Sequence, residues 1–117
     1  MEKRRVVITG LGAVSPIGNT AVESWAAVRE GKCGIGPITH YDPAAQKVKL
    51  AAEVKGFDPE ALLGRQESKR MGRFTQFAVA AAREALSDAG FSVEQAEADR
   101  CGVIVSSGIG GLSITGA

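Results

Sequence analysis

The chain has 117 residues, of which 14 are basic and 13 acidic, so its formal net charge is +1. Such a balance predicts neither a nucleic-acid partner nor a membrane-surface partner. The hydrophobic share of 44% is ordinary for a globular chain, and no apolar run reaches the roughly 18 residues that a bilayer-spanning helix requires.

The first predicted element is a strand over residues 4–9, whose β-branched run lacks the alternation of a half-exposed strand. Such runs are typical of buried strands in parallel sheets. A helix is predicted next. Asn19 and Thr20 are N-cap candidates, the helix runs to about Glu30, and Gly31 ends it.

A loop is predicted over residues 32–43, followed by a strand over residues 48–54. Asp58 is then an N-cap candidate, with Pro59 at the first helical position. Proline is favoured there because its missing N–H is not needed. A short helix to about Leu63 follows from this pattern.

The strongest pattern predicts one long helix from about Ser68 or Arg70 to Ala89, ended by Gly90. Its apolar residues recur at helical spacing. They are Phe74, Phe77, Ala78, Ala81, Ala82, Ala85, Leu86 and Ala89. One helical turn over residues 94–98 and a last strand over residues 101–106 complete the prediction.

The predicted order is β-α-β-α-α-β, which indicates an α/β fold. Too few residues follow the last strand for a crossover helix and another parallel strand. We therefore expect residues 1–117 to be the N-terminal portion of a larger domain.

Each of the two outer predicted strands stops at a glycine-rich turn. Gly10-Leu11-Gly12 starts like a dinucleotide-binding fingerprint, but Ser15 replaces the third glycine, so a tight strand-to-helix turn is the better interpretation. The turn over residues 107–111 could present backbone N–H groups to an anion. It could equally be a bend that lets another segment pack closely.

No catalytic residue and no metal ligand is assigned. A catalytic cysteine needs a base and a setting that stabilises its thiolate. Cys33 and the single histidine, His40, lie in a predicted loop, and Cys101 begins the last predicted strand. Packing roles for both cysteines, and a solvated loop position for His40, are favoured over a catalytic Cys33–His40 pair. Two cysteines without metal-ligand spacing favour a reducing, cytoplasmic setting.

Residues 65–73 carry four basic side chains against one acidic one. Such a run is either a solvated face or a patch for an acidic or phosphate-bearing partner.

Taken together, these motifs resemble the N-terminus of the β-ketoacyl-acyl-carrier-protein synthases, closest to the synthase II type, over essentially the whole chain. The resemblance rests on the opening residues 4–19, on Trp25, Gly34-Ile35 and Asp42, on residues 51–54 and 69–78, and on Ser107-Gly108-Ile109-Gly110-Gly111-Leu112.

The resemblance implies a thiolase-type fold, usually in a homodimer, with no cofactor. It implies decarboxylative Claisen condensation of an acyl-enzyme thioester with malonyl-acyl carrier protein. The catalytic cysteine and two histidines of the family lie downstream of this stretch. By position, Lys69 and Arg70 match carrier-protein contacts, and Gly108 and Ile109 match the turn that lines the acyl pocket.

The chain departs from the family pattern at three positions. Gln66 stands where relatives can have a further lysine, Gly72 replaces a usual aspartate, and Ser106 replaces a glycine. Three alternatives stay open: a polyketide ketosynthase segment, a non-catalytic binding or assembly module that shares the framework, and a nucleotide-binding half-domain.

Overall fold

The computed structural model describes residues 2–92, 94 and 97–112. Its helices are α1 (Ala21–Glu30), α2 (Pro59–Leu63), α3 (Arg65–Arg70) and α4 (Arg73–Ala89), with a 3₁₀ turn at Ala98–Arg100. Its strands are β1 (Ile35–Pro37) and β2 (Leu50–Ala52). In the part of the chain that is described, the order is therefore α-β-β-α-α-α.

The helix ends confirm the predictions that rested on capping residues. The Thr20 side chain accepts the Glu23 amide at the start of α1, and Gly31 ends that helix at φ 70°. The Asp58 side chain accepts the Ala61 amide at the start of α2. Gly90 ends α4 at φ 61°, in the left-handed region that glycine occupies without a Cβ penalty.

The predicted long helix is confirmed as α4 up to Ala89, but its predicted start at Ser68 or Arg70 was wrong, because the chain breaks at Met71 and Gly72. Both residues have extended backbone, with ψ of 137° at Met71 and 159° at Gly72. Glycine is a poor helix former, and here Gly72 caps α4, its carbonyl accepting the Gln76 amide at 3.0 Å. The basic end of the predicted helix thus forms a separate short helix, α3.

The sheet also differs from the prediction. Strands β1 and β2 pair antiparallel, with Gly36 opposite Ala51. The predicted strand over residues 48–54 is confirmed in shortened form, whereas the predicted loop over residues 32–43 contains β1. The two strands therefore form a hairpin, and residues 38–49 connect them.

The predicted strands over residues 4–9 and 101–106 were wrong, since neither segment is a strand in the structure. A strand is defined by a neighbour that completes its hydrogen-bonded ladder, and no described segment pairs with either one. Their side chains are solvent-exposed, with Val6 at 93% and Ile104 at 97%. Of the turn predicted over residues 94–98, residues 95 and 96 lie outside the described residues. Residue 94 has 3₁₀ conformation, and a 3₁₀ turn follows at Ala98–Arg100.

A small aromatic cluster joins the segment just before α2 to the start of α4. The Phe57 and Phe77 rings meet edge to face, with centroids 5.0 Å apart and planes at 74°. The Arg73 guanidinium lies 5.4 Å from the Phe57 centroid and 5.1 Å from that of Phe77. Phe57 and Leu63 are buried, so this cluster anchors the start of α4.

Candidate functional site

The basic surface predicted from the sequence lies on the last turn of α3. Lys69 and Arg70 are both exposed, and within the described ranges neither forms an ion pair. Ser68 next to them is buried, with 4% of its surface exposed. The short helix therefore turns Ser68 inward and presents two free cations to solvent.

Gln76 fixes the inner side of this helix. Its Nε2 donates to the Ser68 carbonyl at 2.8 Å and reaches the Met71 carbonyl at 3.4 Å. Gln76 is itself buried, with 9% exposed. The last carbonyls of a helix lack i+4 partners within the helix. The Ser68 carbonyl accepts the Met71 amide at 3.4 Å, and the Gln76 amide adds a second, shorter bond from α4.

The predicted acyl-pocket turn lies against the start of α4. The Gly110 amide donates to Ser107 Oγ at 2.9 Å. A Cβ at Gly110 would stand 2.7 Å from the Phe74 ring. Gly108 has open space around it, and Ile109 is 73% exposed.

Because Phe74 is the second residue of α4, both predicted surfaces adjoin the same end of this helix. The basic turn of α3 is joined to it through Met71 and Gly72, and the turn over residues 107–111 packs on its first turn. Sequence reasoning named both surfaces but did not place them together.

The first glycine-rich turn packs on the other half of α4. The Leu11 amide donates to Asp88 Oδ2 and the Ala13 amide to Glu84 Oε2, both at 2.9 Å. Phosphate binding at such a turn would need amide groups that face the ligand, whereas these two face carboxylates. The close-packing interpretation of Gly10-Leu11-Gly12 is therefore the one that the geometry favours.

Glu84 and Asp88 were missed by sequence reasoning, as was Gln76. All three are polar residues within α4, and a helical pattern places such residues on a solvated face by default. For Glu84 and Asp88, one indication was available: they lie beside the small apolar residues of α4, where a closely packed backbone segment would need acceptors for its amides.

Glu53 holds the chain that follows β1. Its carboxylate accepts the Thr39 hydroxyl at 2.7 Å and the Thr39 amide at 3.0 Å, and lies 3.8 Å from His40 Nε2. The Thr39 hydroxyl, followed by the Thr39 amide, lowers the pKa of Glu53 below its ordinary value of 4.5. The carboxylate beside His40 is therefore one that holds Thr39 in place, which gives this contact a structural role.

Both cysteines are free and exposed, so the packing role predicted for them was wrong. The Cys101 thiol donates to the Glu97 carbonyl at 3.5 Å. Across residues 2–92, 94 and 97–112, no three histidine, cysteine or acidic side chains come together as a metal site. None of the helices in these ranges has the length and apolar character needed to cross a bilayer.

Comparison with known proteins gives the family context. Residues 3–116 match the model of the β-ketoacyl synthase N-terminal domain. The chain is 48% identical over 114 residues to 3-oxoacyl-[acyl-carrier-protein] synthase 2 of Synechocystis sp., covering 97% of this chain and 27% of that protein. It is 47% identical to the protein of the same name from Staphylococcus aureus, covering 95% of this chain and 27% of the relative.

A solved structure shows the same fold. The ishigamide ketosynthase/chain length factor superposes with a TM-score of 0.72 at 41% sequence identity, covering 80% of this chain and 23% of that chain. The present chain thus spans about a quarter of the length of the relatives that it matches. On the match of residues 3–116 to the N-terminal domain model and on these identities, the chain belongs to the β-ketoacyl synthase family.

Proposed function

We propose that the protein to which this chain belongs is a 3-oxoacyl-acyl-carrier-protein synthase of fatty acid synthesis. The observation that carries the proposal is the 48% identity to a synthase of that name over nearly all of this chain. In the reaction, malonyl-acyl carrier protein loses CO₂ and leaves a carbanion at the thioester α-carbon. The carbanion attacks the acyl-enzyme carbonyl, forms the new carbon–carbon bond and expels the enzyme thiolate.

Within this protein, the chain supplies framework and binding surface. By resemblance, the nucleophilic cysteine and both histidines lie outside residues 1–117. Cys33 is an exposed thiol and His40 lies beside Glu53, so neither is given a role in the reaction. Substrate delivery by an acidic carrier protein requires a cationic surface, and Lys69 and Arg70 form an exposed one on α3.

The test of this docking surface is charge reversal in the complete protein. Lys69→Glu plus Arg70→Glu should raise the carrier KM by roughly tenfold at low salt, because surface charges act mainly on encounter with an oppositely charged partner. The kcat should change little, and the effect should shrink at high salt because ions screen exposed charges.

The matched control is Lys47→Glu plus Lys49→Glu, which makes the same change in net charge on exposed side chains before β2. An unchanged carrier KM in the Lys69 and Arg70 variant would contradict the docking role. An equal rise in the control would show that net charge, not this patch, attracts the carrier protein.

We assign Gly108 and Ile109 to the acyl-binding pocket of the complete enzyme. Ile109 is an exposed apolar side chain on a turn held by Phe74 and Ser107. Exposure of this kind suits a wall that an acyl chain or another part of the domain covers. Ile109→Trp should lower kcat/KM for long acyl chains more than for short ones, and an equal effect on both would exclude this assignment.

A second candidate is a polyketide ketosynthase, which the 41% identity to a solved ketosynthase/chain length factor favours. Product analysis with fatty-acid and polyketide carrier proteins separates the two, since only the polyketide enzyme should extend a chain that still carries its β-keto group. A stand-alone binding module would condense neither substrate. We further propose a cytoplasmic homodimer, which cell fractionation and sedimentation of the complete protein would test.

A further inference from the structure

We propose that Gln76 is a positioning residue for the carrier-docking surface. Its buried carboxamide holds the last turn of α3, and with it Lys69 and Arg70, in the orientation that meets the carrier protein. The inference rests on the docking function proposed above, and nothing in the reaction itself requires Gln76.

The first step of the argument is the weakness of α3 as an isolated helix. It has six residues, follows Gly64 without a side-chain cap, and ends at the extended Met71. A helix this short is unstable in water unless tertiary contacts hold it. Its orientation must therefore come from neighbouring elements.

The second step is the position of the Gln76 contacts. The amide donates at 2.8 Å to the Ser68 carbonyl and reaches at 3.4 Å to that of Met71, so one side chain contacts the last turn of α3 and the hinge that follows it. The bond to Ser68 is buried. The other donor to this carbonyl, the Met71 amide, lies at the longer distance of 3.4 Å. Loss of the Gln76 amide would therefore leave a buried carbonyl with one weak partner, which is costly.

The third step is the relation to the two cations. Lys69 and Arg70 follow Ser68 directly, and no ion pair in the described ranges fixes either side chain. Their direction is therefore set by the α3 backbone. Loss of the Gln76 amide would free the hinge at Met71 and Gly72 and spread the two charges over many directions.

The test compares variants of the complete protein in carrier kinetics. Gln76→Met keeps the length of the side chain and removes the donor, and Gln76→Glu keeps its shape but turns a carboxylate toward the Ser68 carbonyl. For both variants, we expect a carrier KM about three to ten times that of the wild type, with kcat unchanged, because charge placement acts on encounter. Amide exchange within α3 should accelerate in parallel.

The matched control is Arg83→Met. Arg83 lies on the same helix and donates at 2.8 Å to the Leu62 carbonyl at the end of α2. Its loss should lower the Tm but leave the carrier KM unchanged. If Gln76→Met and Gln76→Glu lower the Tm and also leave the KM unchanged, Gln76 is only structural and the inference is overturned.

A double-mutant cycle separates this inference from the docking proposal. In the Lys69→Glu plus Arg70→Glu background, Gln76→Met should raise the carrier KM no further. A further rise of the same size would show that Gln76 acts through another surface, which overturns the inference while the docking role stands. If charge reversal itself changes nothing, the docking proposal fails first. If Gln76→Met does not fold, Gln76→Glu completes the same cycle.

Discussion

Gly12 lies directly against the backbone carbonyl of Ala81 on α4, so closely that a Cβ at Gly12 would overlap the carbonyl oxygen. Gly10 makes the same approach to the Ala85 carbonyl one turn further along. The two glycines and the small side chains of the helix let residues 10–12 pack directly against the backbone of α4. The Gly-x-Gly spacing in this chain is thus explained by packing.

Gly12→Ala should destabilise the protein by about 1–3 kcal/mol, because an added methyl group forces the segment away from a helix backbone that cannot yield. Urea denaturation of the complete protein measures the change. Gly36→Ala is the matched control, since Gly36 has open space around its Cβ position, and it should be nearly neutral. Equal stability of the two variants would contradict the packing explanation.

Glu84 joins this segment to α1. Its two carboxylate oxygens accept the Ala13 amide at 2.9 Å and the Ala21 amide at 2.8 Å. Ala21 is the first residue of α1, where a negative charge is favourable. The Glu84 side chain therefore positions both the residues that follow Gly12 and the start of α1.

Glu84→Gln keeps the shape of the side chain but has one acceptor oxygen for two donors, so one amide loses its partner. The expected loss is about 1–3 kcal/mol in the free energy of unfolding. Glu30→Gln is the control, because Glu30 lies exposed at the other end of α1 beside Lys32. If thermal unfolding shows the Glu84 variant as stable as the control, the bridging role is wrong.

Glu53 predicts a dependence on pH. Its pKa is lowered in the folded chain, chiefly by the Thr39 hydroxyl and then by the Thr39 amide. Its contribution to stability is therefore fully present above the ordinary carboxyl value of 4.5, and it is lost as the pH falls through the lowered value.

Thr39→Val removes the hydroxyl donor and should bring the Glu53 pKa back toward its ordinary value, whereas Thr39→Ser should keep it low. Carbon NMR of labelled glutamate side chains follows the titration directly. Glu53 titrating at the same pH in the valine variant as in the wild type would show that the hydroxyl has no such effect.

The elements that the sequence determined by itself are those whose stabilising atoms lie within a few residues along the chain. Thr20 and Asp58 cap their helices through amides three residues ahead, and Gly31 and Gly90 adopt the left-handed conformation where each helix ends. Caps of this kind need no distant partner, so residue types alone located α1, α2 and the end of α4.

Tertiary structure decided everything that requires a partner far along the chain. Residues 4–9 have strand composition but no ladder neighbour in the described ranges, while β1 gained one in β2. The break before α4 depends on the low helix propensity of Gly72 and on Gln76, whose side-chain amide donates to the Ser68 carbonyl eight residues earlier. The sequence pattern identified the basic turn of α3 and the turn over residues 107–111. Packing against Gln76 and Phe74 brings these two turns to one end of α4. The sequence could not show this, because hydrogen bonds and close contacts between distant residues produce no periodic pattern along the chain.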